Sequence, residues 1–300
     1  MGLWQRILAA LAIGGIVGFA SEMLFYVTPE QAIEPLEIPF TWLFYSATAW
    51  LCLGLAAWLG VRGWVSLFLI GCIFGWVIEG VVVATVYDAL PWTIPFTAMS
   101  WHAVVSGLLV LGAGRIAVRW PWWRAALYWA ALGVALGIWG QFWAIERAEM
   151  PSDSFTYAYL IGLGLIVPLS NIVLDRLPTA YPFKRIELLI WAALFGLLWL
   201  AQMVATLNPA YLALPLVILP TLWILHRRKT TASAPLTLAP APAWRHLLFM
   251  LTPILTAIIA TQGWRHFQNI ESNWPIALLL TAFALGIYLF ATIAAVRNSE

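Results

Sequence analysis

Two glutamates stand inside long apolar runs of this chain, each at the end of the same short pattern. One run reads Gly14-x3-Gly18-x3-Glu22 and the other Gly71-x3-Gly75-x3-Glu79. Residues four apart share a helix face, so each carboxyl falls on a glycine stripe that lets a neighbouring helix come close. A further apolar run carries His102, preceded by Trp101. Two carboxyls and an imidazole can bind a cation, pass protons, or serve as acid and base. Lipid does not hold an ionised carboxylate cheaply, so Glu22 and Glu79 are expected to face protein or a hydrated cavity, or to stay protonated. The plainer alternative is that the carboxyls lock helix seams through hydrogen bonds. On that view His102 is a buried neutral histidine donating to a carbonyl or to Glu79.

The pattern extends along the chain. Gly133-x3-Gly137-x3-Gln141 repeats the spacing with a carboxamide, and Gln202 and Gln262 sit similarly near the ends of later runs. IPFTW at 38–42 and IPFTA at 94–98 open the runs that follow Glu22 and Glu79. Tandem helical hairpins are the expectation, clearest in the first two units, weaker in the third and reduced to the polar group in the last two. His102 lies seven residues past Pro95, a depth of about 10 Å at the helical rise per residue. Glu79 reaches a similar level, and Glu22 lies within a turn of it. The expected substrate-binding set is therefore Glu22, Glu79, His102, Trp101, Gln141 and Tyr26, with Glu79, His102 and Glu22 as the catalytic set if the site does chemistry. For Gln141, Gln202 and Gln262 a locking role is preferred. Most of the 20 tryptophans, and Tyr45 and Tyr87 with them, are expected as an interfacial aromatic belt.

Positioning such groups requires helices, and the composition requires that those helices lie in a bilayer. Hydrophobic residues make up 63% of the chain and charged ones 9%, with a mean hydropathy of +0.89, far too apolar for a soluble surface. Ten spans are expected near 7–27, 38–60, 64–86, 95–114, 124–145, 156–174, 187–206, 209–225, 247–263 and 274–295. Pro168 in the sixth, and Pro215 with Pro220 in the eighth, are candidate helix breaks. With the N-terminus inside, only Arg147 and Arg265 of the 15 basic residues fall outside, while the outer connections collect acids from Glu30 to Glu271. That asymmetry predicts an all-α polytopic membrane protein with both termini cytoplasmic. The first run reads as part of the body rather than a cleaved leader.

Other chemistries find no support. Cys52 and Cys72 lie within neighbouring spans and read as small apolar residues. His226, His246 and His266 are scattered over both sides, so no metal site is expected; the cofactor is left unknown, with a pigment ligand through His102 one option. A net charge of +2 spread along a cytoplasmic fringe suits membrane lipids as partners and gives no nucleic-acid signal. Asp175 is expected in a local ion pair with Arg176 beside a proline turn. Residues 226–243 read as an Ala/Pro-rich cytoplasmic linker between an eight-helix core, 1–225, and a C-terminal hairpin, 244–300. The oligomeric state is not encoded legibly. Three functions are compatible. Transporter-like binding of a small polar or cationic solute from the outer side is preferred. A membrane enzyme using Glu/His acid–base chemistry on a lipid or isoprenoid comes second, and a structural or pigment- or lipid-binding subunit third.

Overall fold

The computed structural model describes residues 2–29, 36–178, 184–228, 238–267 and 270–297. Among the described residues the chain is helical throughout, without strands, and ten helices are long and apolar enough to cross a membrane. They are α1 (Leu3–Tyr26), α2 (Glu37–Leu59), α3 (Trp64–Val82), α4 (Ile94–Ala117) and α5 (Trp122–Glu146), then α6 (Asp153–Arg176), α7 (Arg185–Thr206), α8 (Pro209–Arg227), α9 (Ala243–His266) and α10 (Asn273–Arg297). Their length follows from the bilayer, since about 20 apolar residues cross its hydrocarbon core.

Within lipid the hydrophobic effect no longer drives helices together, so close packing must hold them. The glycine stripes supply it. A side chain at Gly14 would run into Ser46, and one at Gly18 would press on the ring of Tyr45, so α1 lies flat on α2. Gly71 is closed by Ala103 and Gly75 by Ala98 and His102, which seats α3 on α4 in the same manner. The third stripe chooses a different partner. Gly133 and Gly137 abut Thr252, Thr256 and Ile259, so α5 packs along α9 and hardly touches α6, the helix that follows it. Helix α6 lies against α1 and α9, α7 against α2, and α10 against α4 and α8. The last two helices are thus built into the bundle around α4 and α5.

Two proline expectations resolve differently. Helix α6 is interrupted at Leu165, three residues before Pro168, whose ring removes the bond that the Gly164 carbonyl would receive. Helix α8 runs on through Pro220 from Ala213 to Arg227.

The helices that carry the candidate site are not regular. Phe19–Met23 of α1, Ile78–Val82 of α3 and Ile94–Ala113 of α4 are π-wound, with hydrogen bonds spanning five residues rather than four. The Val83 N–H reaches the Ile78 carbonyl at 3.0 Å, for example. Such winding leaves some carbonyls off the ladder, and in lipid each needs another donor. Side chains provide them. Trp101 Nε1 donates to Ser21 O at 2.8 Å, Tyr87 OH to Gly80 O at 2.8 Å, and Gln202 Nε2 to Val81 O at 2.9 Å.

Candidate functional site

Glu22 lies in the π-wound turn of α1, and Glu79 in that of α3. Each meets a side chain 23 residues further on, from the helix its glycine stripe packs against. Tyr45 OH donates a short hydrogen bond to Glu22 Oε1, and His102 Nε2 lies 2.8 Å from Glu79 Oε1. The two glutamates stand 57 residues apart, as do Tyr45 and His102. So do Val27 and Ala84, which follow the two carboxyl-bearing helices in left-handed backbone (φ 61 and 64) that only glycine adopts freely. The IPFT openings stand 56 apart, one fewer, and the π winding of α4 takes up the additional residue before His102.

The second pair is the more connected one. Glu79 Oε2 accepts a short hydrogen bond from Thr85, which is exposed in the turn after α3. On its other side His102 Nδ1 lies 3.0 Å from Ser21 Oγ, which lies 2.7 Å from Ser106 Oγ. A single hydrogen-bonded line therefore runs Thr85–Glu79–His102–Ser21–Ser106 through α3, α4 and α1. His102 and both serines are buried, and the Glu79 side chain keeps 14% exposure. The rings of Tyr45 and Phe74 each stand 6.1 Å from the imidazole and 5.6 Å from one another, so they cover it together. Beyond the span, Tyr87 stacks on Tyr211 at 4.0 Å, and burial raises its phenol above the usual tyrosine range, so it remains a donor to Gly80.

The other expected site residues occupy distinct roles. Trp101 holds Ser21 through that residue's carbonyl, and its ring packs on Phe25 at 4.3 Å and Trp139 at 4.8 Å. The aromatic wall is thus filled by its own members. Tyr26 stacks on Trp143 at 5.1 Å beside Arg147, whose guanidinium covers the same indole and donates to Tyr26 O at 3.1 Å. Gln141 donates to Gly137 O at 2.8 Å and Ile259 O at 3.0 Å, clasping α5 to α9, and Gln202 clasps α7 to α3. Four residues that the sequence reading did not select join the site: Ser21, Ser106, Tyr45 and Thr85. Tyr45 had one available signal, its place 57 residues before His102, the spacing that also separates Glu22 from Glu79.

A second polar cluster lies at the basic end of the bundle and corrects the reading of Asp175. Its carboxyl pairs not with Arg176 but with Arg115 at 2.8 Å, Arg119 at 3.0 Å and His246 Nε2 at 3.0 Å, and it accepts the Ala241 N–H at 2.8 Å. The aspartate side chain is 5% exposed and that of Arg115 1%. The proline turn at 179–183 lies outside the described residues, as do Glu30 and Glu34. Nearby, Arg6 pairs with Glu187 at 2.6 Å, joining α1 to α7. Among the described residues no group of three or more His, Cys, Asp or Glu side chains could hold a metal ion.

No protein-family model matches the chain, and no curated protein or solved structure shows significant similarity to it.

Proposed function

We propose that the protein binds a small polar or cationic solute at Glu22, Glu79 and His102, entering from the outer side of the membrane, in the manner of a transporter. One observation carries this reading. Two carboxyls are placed inside an apolar bundle by equivalent pieces of chain, each given a polar partner 23 residues on. A glutamine would serve as well in a packing seam, as Gln141 and Gln202 do, so the retained carboxyl supports a role that needs charge or a proton. The first two hairpins, α1–α2 and α3–α4, are read as duplicated units that contribute one carboxyl each. Both termini are assigned to the cytoplasm, with the Asp175 cluster at the inner end, in agreement with the basic residues around it.

The test is thermal unfolding of the purified protein against a panel of ammonium, methylammonium, tetramethylammonium and guanidinium salts. A cation at a hundred times its Kd stabilises the folded state by about 2.7 kcal/mol. At least one member of the panel should stabilise the wild type, with a tenfold or greater loss of affinity in Glu79→Gln and a measurable loss in Glu22→Gln. No stabilising cation, or equal stabilisation of wild type and both variants, overturns the assignment.

A second reading, a membrane enzyme acting on a lipid or isoprenoid, has one specific support. Ser21, His102 and Glu79 form a hydroxyl–imidazole–carboxyl line of the kind that activates nucleophiles. Binding is preferred because Ser21 is buried, with its hydroxyl on Ser106 and its carbonyl held by Trp101.

A further inference from the structure

His102 has a partner at each ring nitrogen, and the two partners differ in kind. At Nε2 stands a carboxyl, Glu79 Oε1 at 2.8 Å, and at Nδ1 a hydroxyl, Ser21 Oγ at 3.0 Å. A backbone carbonyl at Nδ1 would fix that nitrogen as a donor and hold the ring in one form. A hydroxyl sets no such limit, because it donates or accepts equally well. Ser21 donates to Nδ1 when the ring carries its proton on Nε2. When Nδ1 carries a proton it donates to Ser21, whose own hydroxyl turns to Ser106 Oγ, 2.7 Å away. A buried imidazole left without partners in one protonation state would carry a large penalty in that state. Here the two serines provide partners in both.

The first pair lacks this property. Tyr45 donates to Glu22, and a phenol with an ordinary pKa near 10 keeps its proton throughout the neutral range. An imidazole changes charge within it. Two equivalent carboxyls thus have partners of different basicity, one fixed and one able to change. The charged and titratable groups facing His102 are Glu79 from α3, Tyr45 from α2 and, behind Tyr45, Glu22 from α1.

We propose that Glu79 and His102 form a proton-binding site, that Ser21 and Ser106 are positioning residues that allow His102 to change protonation in place, and that a proton is the ion exchanged for the solute. This rests on the binding reading above and names its coupling ion. One proton from the outer water adds to the Glu79 carboxylate, whose second oxygen faces exposed Thr85. In the tautomer that carries its ring proton on Nδ1 and donates it to Ser21, Nε2 is free to accept, and the pair shares the added proton between Oε1 and Nε2. Only O–H and N–H bonds form and break, and the proton returns to the same water when a cation takes its place.

The test uses full-length protein labelled with 15N at its 4 histidines and reconstituted in phosphatidylcholine bilayers. The His102 ring signals are identified by their loss in His102→Gln. They should convert between the imidazolium and the neutral pattern when the pH of the medium is changed. Glu79→Gln, which takes the carboxylate from Nε2, should make the imidazolium pattern harder to reach than in the wild type. Ser21→Ala and Ser106→Ala should each do so too, and Ser21→Thr should restore it, which a purely space-filling role would not produce. A His102 fixed in one neutral form whatever the pH, or titrations identical in wild type and Ser21→Ala, would overturn the proposal. If His102 titrates as stated while no cation of the panel binds, the proton site stands and the solute reading falls. If a cation binds with an affinity unchanged across the His102 transition, the binding site stands and the exchange with a proton falls.

Discussion

Asp175 gathers partners from three stretches of chain onto one carboxyl: Arg115 at the end of α4 with Arg119 in the turn after it, His246 from α9, and the backbone of Ala241. Removing it takes this carboxylate away from the buried Arg115 guanidinium. Breaking a buried pair from one side costs about 3–5 kcal/mol, whereas an exposed pair is worth about 1 kcal/mol or less. Asp175→Ala should therefore lower unfolding stability in detergent by an amount in the first range. Asp153→Ala, which removes the exposed pair with Arg265, should stay within the second. Equal losses would show that the Asp175 cluster does not act as a buried network. None of this was legible in the sequence, because the nearest of the charged partners is 56 residues away and the local Arg176 looked sufficient. Glu22, Glu79 and His102 were legible, being polar groups where apolar ones belong. Ser21 and Ser106 were not, since a serine in a membrane helix commonly bonds its own backbone and gives no sign of a wider role.

Helices pair here according to where their glycines find a partner. The spacing Gly-x3-Gly tells which face of a helix will pack and leaves open which helix will cover it. For α1 and α3 the following helix does so, as expected for hairpins, and for α5 the cover comes from α9, more than 100 residues later. The ten spans themselves were evident because hydropathy and length are local properties. The π winding was nearly invisible, with the single-residue slip between the IPFT spacing and the Tyr45-to-His102 spacing as its one trace. The glycine argument has a direct check. Gly14→Val drives a side chain into Ser46 and should cost about 1–3 kcal/mol of stability by overpacking. Gly196→Val, on α7 where a side chain meets open space, should leave stability within about 0.5 kcal/mol of wild type or raise it slightly through helix propensity. Equal losses at both positions would remove the glycine stripes as the reason α1 and α2 pack closely.

At the scale of the molecule, the bundle has an inside built by α1, α3 and α4 and an outside built largely by α7 and α10, whose apolar side chains mostly face outward. The candidate site lies among the three most enclosed helices, where irregular backbone can be satisfied by neighbours. The late helices close around it from both flanks, α9 on α5 and α6, and α10 on α4 and α8. Arg119 and Asp175 also hold the end of the connection that leads into α9, through Ala239 O at 2.7 Å and the Ala241 N–H. Contacts of this extent do not depend on the peptide bonds that join α8 to α9. The gene should therefore tolerate division within the codons for 230–236, with the two polypeptides, each made separately in one cell, reassembling and co-purifying through a tag on either one.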